Sequence, residues 1–221
     1  MKLTVYNGSP RGKSSNSSVI IRWLMEETAG MPEVEAEIIF LNKIENHQLN
    51  AMKMQESDIS LVVFPLYTDC MPGIVAAFFE KLQMYTGKLA GRKLGFVVHS
   101  GFIEAHHSRF IEKYLIGLAK KLGADYMGTA IMGGSEPVRM MSDSMQAAKK
   151  ALFNRLGEKI LKEEKFDELT VKKIAGTEKL SGFMLLTYKI IARIGLTNMY
   201  WNSELKRNNV YKKRFARPYA D

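Results

Sequence analysis

The run Ile59-Ser60-Leu61-Val62-Val63-Phe64 constrains the chain more than any other stretch. It is almost continuously apolar, partly β-branched and closed by Pro65. A strand of that kind is covered on both faces, as a central strand of a parallel sheet is. Four further stretches read as strands: Lys2 to Tyr6, Val34 to Leu41, Arg92 to His99 and Ala124 to Met132. Helical spacing fills the intervals. It follows Ser18, is weak and polar over 42–57, and is clear from Pro72 to Thr86, with Ile74, Ala77, Phe78 and Leu82 on one face. It returns from Ala105 to Leu122, stopped by Gly123, and from Ser142 to Lys165. Strands alternating with helices predict right-handed crossovers and a doubly wound, five-stranded parallel sheet with helices on both faces. Ligands of such sheets bind beyond the carboxyl ends of the strands, where the strand order reverses. That rule selects the loops after the first, third and fourth strands.

The first of these, Asn7 to Ser18, joins a strand to a helix start and holds five serines, Asn16 and the cations Arg11 and Lys13. A helix start offers unpaired N–H groups and the positive end of the macrodipole, so this loop reads as a phosphate cradle. Gly8 and Gly12 have the wrong spacing for a dinucleotide fingerprint. Gly8 to Ser14 is one residue short of a P-loop, and Pro10 removes a backbone donor. The remaining reading is a hydroxyl-rich loop for one terminal phosphate, as in a mononucleotide. The competing reading is a Ser/Asn cap behind a solvated turn.

The second loop, Pro65 to Gly73, is stiffened by prolines and carries Tyr67, a flat amphipathic ring suited to stacking. The third, Ser100-Gly101-Phe102-Ile103, pairs a close-approach glycine with an exposed-position aromatic. A cradle beside two aromatic-bearing loops suits a flat, conjugated, phosphorylated ligand.

The segments GSPRGKSSNS and VVFPLYTDCMPGIVAAFFEKL, with the loop after VVHS, resemble the flavodoxin-like, FMN-binding NAD(P)H-dependent reductases, the multimeric flavodoxin or NADPH-dependent FMN reductase group. The resemblance spans about residues 1–165. It implies FMN as cofactor and NAD(P)H as electron donor. The phosphate would be held by Ser9, Arg11, Ser15, Asn16 and Ser17. One edge of the ring would lie against Pro65, Leu66, Tyr67, Thr68 and Asp69, the other against Ser100, Gly101 and Phe102. The acceptor would be a quinone, a nitro or azo aromatic, or free flavin; the alternative is a flavodoxin-type electron carrier. Relatives with an iron–sulfur centre carry cysteines ahead of the third strand, and His47 to Asp58 has none. Flavin carries the redox chemistry, so no catalytic residue is singled out. Backbone N–H groups from Leu66 to Met71 are placed to reach the ring.

Cys70 is the only cysteine, which excludes an intrachain disulfide and a cysteine-based metal centre and fits a reducing cytoplasm. It reads as a small packing residue and His99 as a hydrogen-bonded structural one. His106 and His107 are adjacent on a helical stretch, where neighbours do not share a face, and no metal site is expected.

A domain of residues 1–166 leaves an extension, 167–221, that is helical and basic. Leu180 to Leu196 is apolar nearly all round, and a basic-aromatic run from Lys206 to Phe215 follows. From Gly176 onward there are nine Lys/Arg against three Asp/Glu, so most of the net charge of +9 lies in the tail. No nucleic-acid module accompanies it, and no nucleic-acid partner is expected. An uncovered apolar helix predicts a homodimer or higher homo-oligomer, with contact to a membrane surface as the runner-up.

Overall fold

A computed structural model of the protein describes residues 1–195 and 198–217. The chain divides into two compact units, Met1–Lys179 and Leu180–Asp221.

The first unit is a five-stranded parallel sheet: β1 (Lys2–Asn7), β2 (Glu35–Phe40), β3 (Ile59–Pro65), β4 (Lys93–His99) and β5 (Asp125–Met132), in the order β2-β1-β3-β4-β5. This is the doubly wound order that reverses between β1 and β3. The register sets Asn7, the last residue of β1, beside Val63, two residues short of the end of β3, and sets Pro65 beside His99, so β3 and β4 finish level.

Every residue of β3 is buried, as its apolar run requires. Its side chains alternate between two cores. Leu61 and Val63 join Val5, Ile20, Trp23, Val97, Phe153 and Leu156 on the face of α1 (Asn16–Leu24) and α5 (Ala147–Glu163). Val62 and Phe64 join Tyr6, Phe78, Phe96 and Leu115 on the face of α2 (His47–Glu56), α3 (Gly73–Lys81) and α4 (Phe110–Leu122). The two-residue period of a strand thus supplies both layers at once. Burying each of these large side chains is worth about 1.5–3 kcal/mol. At Gly157, α1 and α5 approach so closely that a Cβ would lie 2.0 Å from the carbonyl oxygen of Leu24.

Several helices differ in detail from the sequence expectation. The buried face of α3 is Val75, Phe78 and Phe79, continued by Leu82 of the turn that follows; Ile74 and Ala77 are only half-buried. Phe79 packs against Phe96 and Tyr114, and that pairing turns the helix toward it. The expected helix from Pro72 to Thr86 finishes as a 3-10 turn over Leu82–Tyr85, and the one from Ala105 begins as a 3-10 turn over Ala105–Ser108.

The segment after Lys165 folds into α6 (Glu168–Ala175), which the sequence reading placed in the extension. Asp167 caps it by accepting from Thr170 N. Phe166, Ile174 and Ala175 enter the cores, which is why the first unit runs on to Lys179. The stretch after α6 straps the loop beyond β4. Ala105 N donates to Thr177 O at 2.9 Å, and Arg109 grips Glu178 through two bonds of 3.0 and 2.9 Å. The pair holds the Glu178 carboxyl below its ordinary pKa.

The second unit contains α7 (Gly182–Arg193), α8 (Asn198–Arg207) and a 3-10 turn over Tyr211–Lys213. Ser181 caps α7 by accepting from Met184 N. No residue of α7 is buried. Leu196, the end of the apolar run read from the sequence, lies outside the described residues.

Candidate active site

Loops following β1, β3, β4 and β5 meet in one depression. Its wall comprises Ser9, Arg11, Ser15 and Asn16, then Pro65, Leu66 and Tyr67, then His99, Ser100 and Gly101, and lastly Ser135 and Glu136. It encloses about 110 Å³. Pockets that take in a whole drug-sized ligand run to roughly 300–1,000 Å³. This one is too small to enclose a whole ligand of that size.

The loop after β1 is held by its own polar groups. Buried Asn7 accepts from Ser9 N at 3.0 Å and donates to Ser18 Oγ at 2.9 Å. Gly8 is required here: a Cβ would lie 2.5 Å from Val75 Cγ2 and 2.8 Å from Phe64 Cβ. Ser15 is the N-cap of α1, accepting from Ser18 N while its hydroxyl donates to Gly12 O at 2.6 Å. Ser18 also donates to Gly12 O. These hydroxyls build the loop. What stays open is the helix start itself: the N–H groups of Asn16 and Ser17 have no protein acceptor among the described residues. Arg11 lies exposed beside them and belongs to no ion pair among the described residues. Buried Ser9 adds a hydroxyl to the wall. Lys13 instead lines a separate depression with Asn42 and Lys53. Free N–H groups, a hydroxyl and an unpaired guanidinium fit a phosphate group.

The Asn16 side chain spans to the far loop. Its Nδ2 donates to Ser135 O at 2.8 Å, and its Oδ1 accepts from Arg139 N at 3.0 Å. Ser17 points inward to His99: Ser17 Oγ lies 2.8 Å from Nε2, and Ser135 Oγ 2.9 Å from Nδ1. Complete burial pushes the His99 pKa down to about 3, so the ring is neutral and one hydroxyl donates to it while the other accepts. His99 and Ser135 line the floor of the depression, and the Ser17–His99–Ser135 chain ties α1 to the loop after β5.

The loop after β3 is a two-residue hairpin turn. Tyr67 N donates to Cys70 O at 2.8 Å and Cys70 N to Tyr67 O at 3.1 Å. Thr68 and Asp69 between them take φ of 47° and 63°. Positive φ at both central positions defines a type I′ turn, for which Asn-Gly is the favoured pair. The turn carries Thr68 and Asp69 off the wall, and Phe102 also stands outside it. The N–H groups of Leu66, Tyr67 and Cys70 are consumed by protein acceptors, which leaves those of Thr68, Asp69 and Met71 from the stretch expected to reach a ligand. Cys70 is exposed at the base of the turn, not packed inside.

The 3-10 turn over Ala105–Ser108 carries His106 and His107, whose ring centroids lie 4.0 Å apart. Glu104 lies 3.2 Å from His107 Nε2, and Phe102 packs 4.9 Å from the same ring. Nδ1 of His106 lies 3.1 Å from Glu178 O.

Sequence reasoning thus named nine wall residues: Ser9, Arg11, Ser15, Asn16, Pro65, Leu66, Tyr67, Ser100 and Gly101. It missed the contribution of His99, Ser135 and Glu136 to the wall. The switch-point rule extended to β5, and the Gly133-Gly134 pair that follows it, was the available signal for the latter two.

The strand order and the anion-receptive helix start at its switch point define a flavodoxin-like α/β protein. A sequence profile of the NADPH-dependent FMN reductase family matches residues 1–137, and the chain belongs to that family. It is accordingly an NAD(P)H-dependent FMN oxidoreductase. No curated protein matches the sequence. Among solved structures it is similar to an FMN-dependent NADH-azoreductase from Bacillus anthracis in complex with FMN, at 15% identity and a TM-score of 0.57, covering 72% of this chain and 99% of that one. It is also similar to an NAD(P)H:quinone oxidoreductase from Methanothermobacter marburgensis (14% identity, TM-score 0.59, 73% and 97% covered). A third is an NADPH-quinone reductase from P. pentosaceus (15%, 0.54, 70% and 96%). At such identities the likeness speaks for the fold alone.

Proposed function

We propose that the depression seats the phosphate end of FMN and that the protein reduces a small aromatic acceptor, a quinone, an azo or nitro compound, or free flavin, at the expense of NAD(P)H. The observation that carries this reading is the open start of α1, where two unpartnered N–H groups stand beside Ser9 and Arg11 at the switch point. The names of the similar structures, quinone reductases and an azoreductase, support the acceptor class.

Bound FMN supplies two-electron transfer between nicotinamide and acceptor. The chain's own part is to bind, orient and shield. Arg11 and the α1 N–H groups replace phosphate hydration. Pro65 and Leu66 give the adjoining wall an apolar surface, and Tyr67 and Gly101 would lie beside the ring of a bound FMN. Neutral His99 stiffens the floor without adding charge. Ser17, Thr68, Asp69 and Phe102 act from behind or beside the wall, Ser17 by orienting His99. Small acceptors suit a site whose rim, with Tyr67 and Phe102 about half-exposed, stays open to solvent.

Titrating flavin-stripped protein with FMN and with riboflavin tests the reading. FMN is expected to bind at least about tenfold more tightly, the worth of one charge-assisted contact. Equal affinities would remove the phosphate from the α1 start. Oxidation of NAD(P)H with a quinone, an azo dye and free FMN then ranks the acceptors, and no turnover with any of them would favour an electron carrier.

A further inference from the structure

We infer that the second unit, Leu180–Asp221, is a docking surface for an anionic lipid bilayer. The inference goes beyond the reductase reading and does not depend on it.

On α7, Met184, Tyr188 and Ile191 are half-buried, while Phe183, Leu186, Ile190 and Ile194 follow one another at intervals of three and four and are all exposed. Phe183 is 80% exposed. The helix is therefore apolar on two sides, and one apolar stripe is open. Further large apolar side chains stand out from the same unit: Met199, Trp201 and Phe215, the last 82% exposed.

Charge accompanies the stripe. The unit has eight Lys/Arg and two Asp/Glu, a surplus of six from a net +9 for the whole protein. Among the described residues its only ion pair is Arg207 with Glu204. Lys189 and Arg193 flank the stripe on α7 itself. Beyond α8, Arg214 lies over the Tyr211 ring at 4.2 Å and the Phe215 ring at 4.7 Å, with Lys206 on Tyr211 at 5.1 Å. These contacts keep aromatic and cationic groups in one patch.

Three occupants compete for such a surface. A second copy would set a unit of +6 against another of +6, or against a first unit that is itself positive, so like charges would meet around the stripe. A nucleic acid would satisfy the cations and leave the aliphatic stripe in water. An anionic bilayer satisfies both: the apolar side chains enter the headgroup boundary and the cations meet lipid phosphates. No helix of the described residues is long and apolar enough to cross a membrane, so the unit lies on the surface and does not span it.

Full-length protein is sedimented with phosphatidylcholine vesicles and with vesicles of phosphatidylcholine mixed with phosphatidylglycerol. The expected result is binding to the mixed vesicles only, weakened by salt. A blue shift of Trp emission should accompany it, since Trp23 is fully buried and Trp201 is exposed. Joint reversal of Lys212, Lys213 and Arg214 to Glu should lower partitioning by more than about a hundredfold, and Ile190→Asp should also weaken it, both with bound FMN unchanged. Absence of binding to the anionic vesicles at low salt would overturn the inference. So would an Ile190→Asp variant that splits a dimer while binding vesicles as the parent does, or capture of a random RNA that outcompetes the vesicles.

Discussion

Arg11 and His99 divide the work of the site between an exposed charge and a buried neutral group. Among the described residues no carboxylate pairs with Arg11, so its guanidinium is available to a ligand phosphate. Arg11→Ala is expected to weaken FMN binding about ten- to hundredfold with little change in thermal stability, because charge-assisted contacts are worth roughly 1.5–3 kcal/mol and nothing buried is lost. Fluorescence titration and a melt on the same sample check both halves. His99 carries a pH signature. Its folded pKa lies near 3 against an ordinary value of 6.5, so the unfolded chain takes up a proton in that window and the native protein does not. Its contribution to stability is thus full above about pH 6.5 and is lost as pH falls toward 3, by up to ~1.4 kcal/mol per pH unit. His99→Gln, which can still bridge two hydroxyls, should flatten that stretch of the stability profile in urea titrations. An unchanged slope would mean that His99 is not the neutral buried ring described.

At the scale of elements, the turn after β3 stores strain beside the candidate site. Thr68 is β-branched and takes a left-handed φ, at a cost of order 1–3 kcal/mol. Replacing Thr68-Asp69 by Asn-Gly should raise stability by about 1 kcal/mol, seen as a higher Tm, and any change in FMN affinity would report whether the strained turn positions the ring. Strands were the legible part of the fold, because a parallel strand buried on both faces writes a continuous apolar run. The faces of helices were less so: Phe78 was identified as inward, but only the packing of Phe79 against Phe96 and Tyr114 decides that Val75 and not Ile74 lies beside it. The loops after β1, β3 and β4 were legible through their odd compositions and the switch-point rule. The β5 loop was less legible: the switch-point rule and Gly133-Gly134 pointed to it, but its tie to α1 is Asn16 bonding a carbonyl 119 residues away, which no local pattern encodes. His106 and His107 sit in a 3-10 turn where an α-helix was expected, and their rings meet there.

Across the whole molecule, the flavodoxin-like unit is closed by α6 and the strap at Thr177 and Glu178, while most of the charge resides beyond Lys179. Among the described residues neither core contains one after Ala175. Ending the chain at Lys179 is therefore expected to leave the first unit folded and its FMN affinity unchanged. Ending it at Phe166 should cost several kcal/mol, about 2–5 for the loss of a buried Ile174 alone. Urea unfolding of the two truncations separates these outcomes, and equal stabilities would place α6 outside the core.

The measurement that bears most directly on the central claim is the visible spectrum of the freshly purified protein, followed by release and identification of any chromophore and by titration of the stripped protein with FMN. Flavin absorption bands, FMN in the supernatant and saturable rebinding that Arg11→Ala weakens are the expected results. A colourless protein that takes up no added FMN would contradict the assignment of the site.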